Sequence, residues 1–126
     1  MGRLILLLLL SPLFGQSQDK QLTLKNQTFS AKVIRILDGD TMEALYKNKP
    51  VTIRLAHIDC PEKRSSQPFN NQAKKALSDL CFGQMVIIYG QNIDRYGRLI
   101  AVIINIKKQI VNQEMIKRGM AWHFKR

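Results

Sequence analysis

Three short segments concentrate the residue types that can act on a phosphodiester. They are Asp38-Gly39-Asp40-Thr41, then Arg54-Leu55 with Asp59-Cys60-Pro61-Glu62, and Asp94-Arg95-Tyr96-Gly97-Arg98. A hard divalent cation takes several oxygen ligands from carboxylates, carbonyls and water, so two aspartates held near one point form part of a cage. Histidine and thiolate are not needed for this. Arginine presents a planar fork that matches two phosphate oxygens and stays charged at any working pH. Two such forks can hold a phosphorus centre while negative charge grows on it.

Short strands must position these groups. Thr28 to Leu37 carries the β-branched residues Val33, Ile34 and Ile36 and reads as a strand, and Asp38-Gly39-Asp40 is a strong turn signal. A second strand runs from Thr41 to Tyr46, and Lys47-Asn48-Lys49-Pro50 makes the next turn. In a third, Val51 to Ile58, the residues Ile53, Leu55 and His57 alternate with Thr52, Arg54 and Ala56. Arg54 is therefore expected to point away from the buried face, toward solvent or a site. After a polar loop from Pro61 to Pro68, Ala73, Ala76, Leu77 and Leu80 predict a helix over Asn70 to Phe82, ended by Gly83. Met85 to Tyr89 and Leu99 to Ile106 read as apolar strands, joined by a turn that delivers Arg98. A last helix is expected from Asn112 to about Trp122, burying Met115, Ile116 and Met120. The sum is a mainly β fold with α: a five-stranded OB-type Greek-key barrel with two helices, whose outer face and loops suit oligonucleotides. Pattern alone leaves another small α+β barrel open.

The N-terminus reads Met1-Gly2-Arg3, an apolar run from Leu4 to Leu10, then Ser11-Pro12 and a polar stretch. This is the pattern of a secretory signal peptide, placed at residues 1–18 with cleavage between Gly15 and Gln21. The run is too short to cross a bilayer, which needs roughly 20 apolar residues. The expected product is a secreted or periplasmic monomer without stable membrane association. It comprises an N-terminal extension at 19–28 and one domain at 29–126.

The 126-residue chain has 20 Lys and Arg against 9 Asp and Glu, a formal net charge of +11. Such a surface attracts polyanions and releases counterions on meeting a phosphate backbone, although charge by itself gives affinity rather than chemistry. Cys60 and Cys81 permit one disulfide in an oxidising compartment, and sequence cannot decide whether their geometry allows it.

In order and spacing the three segments resemble the staphylococcal (micrococcal) nuclease family of thermonuclease-like secreted enzymes. The likeness runs from about Phe29 to Trp122 and includes a closing Val-Asn-x-x-x-Ile-x-x-Gly-x-Ala-Trp over Val111 to Trp122. The resemblance implies the same barrel. It also implies a Ca²⁺-dependent endonuclease that cuts DNA and RNA with low sequence specificity, prefers single-stranded or locally unpaired substrate, and leaves 3′-phosphate ends. One Ca²⁺ would be held by Asp40, Asp59 and the backbone carbonyl of Cys60, a position where the prototype usually has threonine. Glu62 would be the general base toward water. Arg54 and Arg98 would clamp the phosphate and stabilise its five-coordinate transition state.

Each assignment has a plainer counterpart. Asp38 caps a turn by bonding nearby amides, and Asp40 alone would do the same. Glu62 can be a surface glutamate, Arg54 can pair with a carboxylate on the sheet, and Arg98 can be solvated in a hairpin. Tyr96 and Tyr89 suit stacking on bases, with hairpin packing equally open for Tyr96. Lys49 and Lys63, with Lys47 and Arg64, are expected to flank the cleft and track the backbone, unless they merely solvate loops. Trp122 and His123 are expected to close the barrel's end. The rival function is a noncatalytic OB-fold nucleic-acid-binding protein.

Overall fold

The computed structural model describes residues 23–60 and 68–124, with backbone only for 68–70. The expected signal segment, Glu62, Lys63 and Arg64 lie outside the described residues. Strand β1 (Thr28–Asp38) alternates exposed and buried positions, sending Phe29, Ala31 and Val33 inward. It turns through Gly39-Asp40 into β2 (Thr41–Tyr46), which leads to β3 (Lys49–Leu55). Tyr46 pairs with Lys49, so only Lys47 and Asn48 make the second turn, with φ of 50° and 65°. Two left-handed residues in a two-residue hairpin match the right-handed twist of the flanking strands, and asparagine tolerates that conformation well.

The chain continues as β4 (Ile58–Asp59), α1 (Pro68–Cys81), β5 (Met85–Ile93), β6 (Leu99–Ile104), α2 (Val111–Lys117) and β7 (Trp122–His123). A closed barrel is built in the order β1-β2-β3-β6-β5, with β5 pairing back onto β1. Five strands, closure and two helices agree with the OB-type expectation. Every barrel pairing is antiparallel except β3 with β6, which run parallel over three residue pairs, Ile53↔Leu99, Arg54↔Ile100 and Leu55↔Ala101. Outside the barrel, β4 and β7 form a two-stranded ribbon. Met42, Ile53, Leu55, Ile88, Leu99 and Ile103 fill the barrel, while α1 adds Ala73, Leu77 and Leu80, and α2 adds Val111 and Met115. Burying each large aliphatic chain stabilises the fold by about 1.5–3 kcal/mol before entropy is counted.

Several bounds differ from the sequence reading: β5 runs on to Ile93 rather than Tyr89, β6 stops at Ile104 rather than Ile106, α1 spans Pro68–Cys81 rather than Asn70 to Phe82, and two further differences bear on the site. The third strand stops at Leu55 rather than Ile58, because His57 adopts φ 65° and reverses the chain. Ala56 is consequently buried and His57 exposed, opposite to the expected alternation. The last helix ends at Lys117, capped by Arg118, since Gly119 takes the left-handed φ of 73° that terminates helices. Trp122 therefore sits in β7 at 52% exposed, on the ribbon's surface rather than sealing the barrel.

Candidate functional site

The first hairpin turn delivers two carboxylates to the end of β3. Asp38 Oδ1 accepts the Asp40 N–H at 3.2 Å, and Asp40 Oδ1 accepts the Thr41 hydroxyl at 3.0 Å. Thr41 lies directly across from Arg54 in the β2–β3 ladder, and the Asp40 carbonyl accepts the Leu55 N–H at 2.8 Å. Backbone pairing thus fixes Asp40 beside Arg54 before any side chain is considered.

Arg54 is 6% exposed and engages four oxygens. Its Nη1 lies 2.9 Å from Asp40 Oδ2 and donates to the carbonyls of Leu55 at 3.3 Å and Ile58 at 3.2 Å; its Nη2 meets Asp59 Oδ1 at 3.3 Å. The reversal at His57 brings β4 back over β3, and this is how Asp59 reaches the same guanidinium. Asp59 Oδ1 also accepts the N–H of Cys60 at 3.0 Å. Asp40, Arg54, Asp59 and Cys60 are thereby brought together, and Arg54 faces this cluster rather than open solvent.

Gly39 permits the turn to sit this low. A Cβ there would lie 2.6 Å from Ala73 Cβ on α1 and 3.1 Å from Cys60 Sγ. Burial, reinforced by the hydrogen-bonded Asp38, pushes the Asp40 carboxyl up to about 7 against the pull of Arg54. Burial also raises Asp38, but its hydrogen bonds with Asp40 outweigh that and hold it below the usual carboxylate value. Burial, followed by the charge of Asp40, pushes the Cys60 thiol up to about 12. Cys60 therefore stays a neutral thiol, and the donors offered are oxygens, the kind a hard cation takes. Among the described residues no three Asp, Glu, His or Cys groups assemble as a metal site. Cys60 and Cys81 are both free and buried, the latter's Sγ donating to the Leu77 carbonyl at 3.3 Å.

Arg98 immediately precedes β6, two residues ahead of Ile100, which is level with Arg54 in the parallel pairing. Asp94 Oδ2 accepts Arg98 Nε at 2.7 Å, while Asp94 Oδ1 accepts the N–H groups of Tyr96 and Arg98, both at 2.9 Å. Among the described residues, Arg98 is held through its Nε by Asp94. Tyr96, 68% exposed, lies between Arg95 and Arg98, whose guanidinium carbons stand 4.9 and 5.2 Å from the ring centre.

Tyr89 is 43% exposed and paired with Val102, two strands over from Arg54. Lys49 does not join the cluster: it pairs with Tyr46 at the far end of β3, about 17 Å along the strand from Arg54.

Sequence reasoning gave no role to Asn112, which the fold makes central. At 5% exposed, its Nδ2 donates to the carbonyls of Ala56 at 3.0 Å and Ala101 at 3.1 Å, and its Oδ1 accepts the Ile103 N–H at 3.0 Å. It ties α2 to the 54–59 segment that carries Arg54 and Asp59. A polar residue among the apolar positions of a predicted helix was the available signal.

Comparison with known proteins agrees with this geometry. The family model for "Staphylococcal nuclease homologue" matches residues 52–126. The chain belongs to that family, a class with a closed OB-type barrel. A relative named "Uncharacterized endonuclease" in Haemophilus influenzae is 42% identical over 121 residues, covering 95% of this chain and 62% of that protein. "Micrococcal nuclease" of Shigella flexneri is 37% identical over 105 residues, 77% of this chain and 59% of its own. "Protein ParB" of Escherichia coli is 37% identical over 102 residues, 75% and 56% respectively. The chain spans about three fifths of the length of these curated relatives.

Proposed function

We propose that the protein is a secreted or periplasmic, monomeric, Ca²⁺-dependent endonuclease. Its substrates are DNA and RNA, single-stranded or locally unpaired by preference, and its products carry 3′-phosphates. The carrying observation is the single Arg54 fork shared by Asp40 and Asp59 at the end of β3, the strand that pairs with the one Arg98 leads into. The family's nuclease names in Shigella and Haemophilus support the same reading.

Asp40, Asp59 and the Cys60 carbonyl would hold Ca²⁺, which supplies charge neutralisation and water orientation when bound. Glu62 takes the proton of the attacking water, a task suited to a carboxylate kept ionised by neighbouring positive charge. Arg54 and Arg98 bind non-bridging oxygens, and their hold tightens as the phosphorus becomes five-coordinate. Asp94 holds Arg98 through its Nε. The water oxygen bonds to phosphorus as the bond to the 5′-oxygen breaks, and that leaving oxygen takes a proton from solvent, so the phosphate stays on the 3′ side. Tyr96 stacks on a neighbouring base.

Plasmid DNA incubated with protein and Ca²⁺, then with chelator, tests the proposal. Fragmentation that the chelator stops is expected, whereas a gel shift without cutting would establish the noncatalytic nucleic-acid-binding barrel instead. The variant Glu62→Gln is expected to keep binding oligonucleotide and lose most cleavage. Digestion at the parent rate would remove Glu62 from the base role.

A further inference from the structure

We propose that Trp122 is the platform of a nucleobase-binding subsite adjoining the phosphate cluster. This rests on the endonuclease reading for its substrate and adds a site that reading does not contain. In the β4–β7 ribbon, Trp122 is paired directly with Asp59. Opposed residues of an antiparallel pair project to one face with Cβ atoms roughly 4.5–5.5 Å apart. The indole therefore neighbours the carboxylate that meets Arg54 Nη2 at 3.3 Å.

Three further observations fit a base. Trp122 is 52% exposed, and among the described residues no ring or cation stacks on it. Its strand is also held firmly: His123 pairs with the buried Ile58, and the Phe124 N–H donates to the His57 carbonyl at 2.7 Å. A ring presented from a fixed backbone loses little freedom when a flat ligand covers it. Finally, the exposed Tyr96 ring accompanies Arg98 while Trp122 accompanies Asp59 and Arg54. A strand whose phosphate meets the Arg54 cluster can thus set a base on the open Trp122 ring, while the Tyr96 ring carries guanidinium groups. Such platforms accept any base, because every base has a π-face.

The chain contains one tryptophan, so its fluorescence reports this site alone. Titrating oligo(dT) into Ca²⁺-loaded Glu62→Gln protein is expected to quench that emission saturably, and an abasic oligonucleotide of equal length to bind with little quenching. Stacking contributes about 1–3 kcal/mol per base, so Trp122→Ala is expected to raise KM about 5- to 150-fold. With that variant kcat and the melting temperature should stay near the parent values. Trp122→Phe should recover most of the loss, and Trp122→Leu serves as a second truncation if the alanine variant folds poorly. Equal quenching by the abasic strand, or an unchanged KM in both truncations, would overturn the subsite while leaving the nuclease reading intact. Quenching by oligo(dT) from a parent protein that never cuts would instead sink catalysis and keep the base site.

Discussion

Arg54 contacts Asp40 at 2.9 Å and Asp59 at 3.3 Å, so one guanidinium joins the first hairpin turn to the ribbon strand β4. A lysine cannot reproduce this, since a single ammonium offers no planar fork. Arg54→Lys is expected to lower the cleavage rate by about 10²–10³, measured on a single-stranded oligonucleotide under saturating conditions. Arg54→Met leaves the buried Asp40 carboxylate without its partner and should destabilise by about 3 kcal/mol in urea unfolding, the half-exposed Asp59 adding little. Equal stability of parent and Arg54→Met would contradict the buried bridge.

The Asp94–Arg98 contact gives stability a pH signature. Burial raises the Asp94 carboxyl, but the Arg98 N–H and guanidinium outweigh burial and hold it below its usual value. A carboxylate depressed in the folded state contributes stability that is complete above its unfolded pKa, near 3.9, and lost as pH falls through the folded one. Parent protein should therefore melt above Asp94→Asn near neutrality, and the gap should shrink on acidification below about 4. A gap constant into strong acid would remove the ionised Asp94 from the account.

Gly39→Ala should act through crowding. The added methyl would meet Ala73 Cβ at 2.6 Å, and overpacking of this kind destabilises by about 1–3 kcal/mol. Because the turn carries Asp40, cleavage at fixed Ca²⁺ should fall as well. The double variant with Ala73→Gly should regain part of both losses, and failure of rescue would place the strain elsewhere.

Asn112→Ala should loosen the site from behind. It removes the Asn112 partner of the Ile103 N–H and the Ala56 carbonyl and the second bond of the Ala101 carbonyl, and a buried orphaned polar group costs about 1–3 kcal/mol. Asn112→Asp should do no better, as it sets carboxylate oxygen against the Ala56 and Ala101 carbonyls. Chemical denaturation of both variants checks this, and parent-like midpoints would refute the clamp.

Much of the fold could be read because its hairpins are local. Asp38-Gly39-Asp40 and Lys47-Asn48 announce their turns by residue type, and Thr41 to Tyr46 matches β2 end to end. The end of β3 was hidden, since His57 takes a left-handed conformation that no glycine marks. The last helix was overextended because apolar residues continue past Gly119 at helical spacing, and its φ prevails. In the site, the residue types were visible but the joint hold of Asp40 and Asp59 on Arg54 was not, as it depends on β4 folding back. Asn112 was visible as part of the closing motif, but its role was not, because its partners, Ala56 and Ala101, are distant in sequence.

The parallel join between β3 and β6 is three residue pairs long, contains Arg54 and begins one residue after Arg98. Its contacts span a large stretch of chain, and loop entropy makes such pairings slow to form. Opening that join would part the strand that carries Arg54 from the strand entered through Arg98, so their spacing is set only when the cylinder shuts.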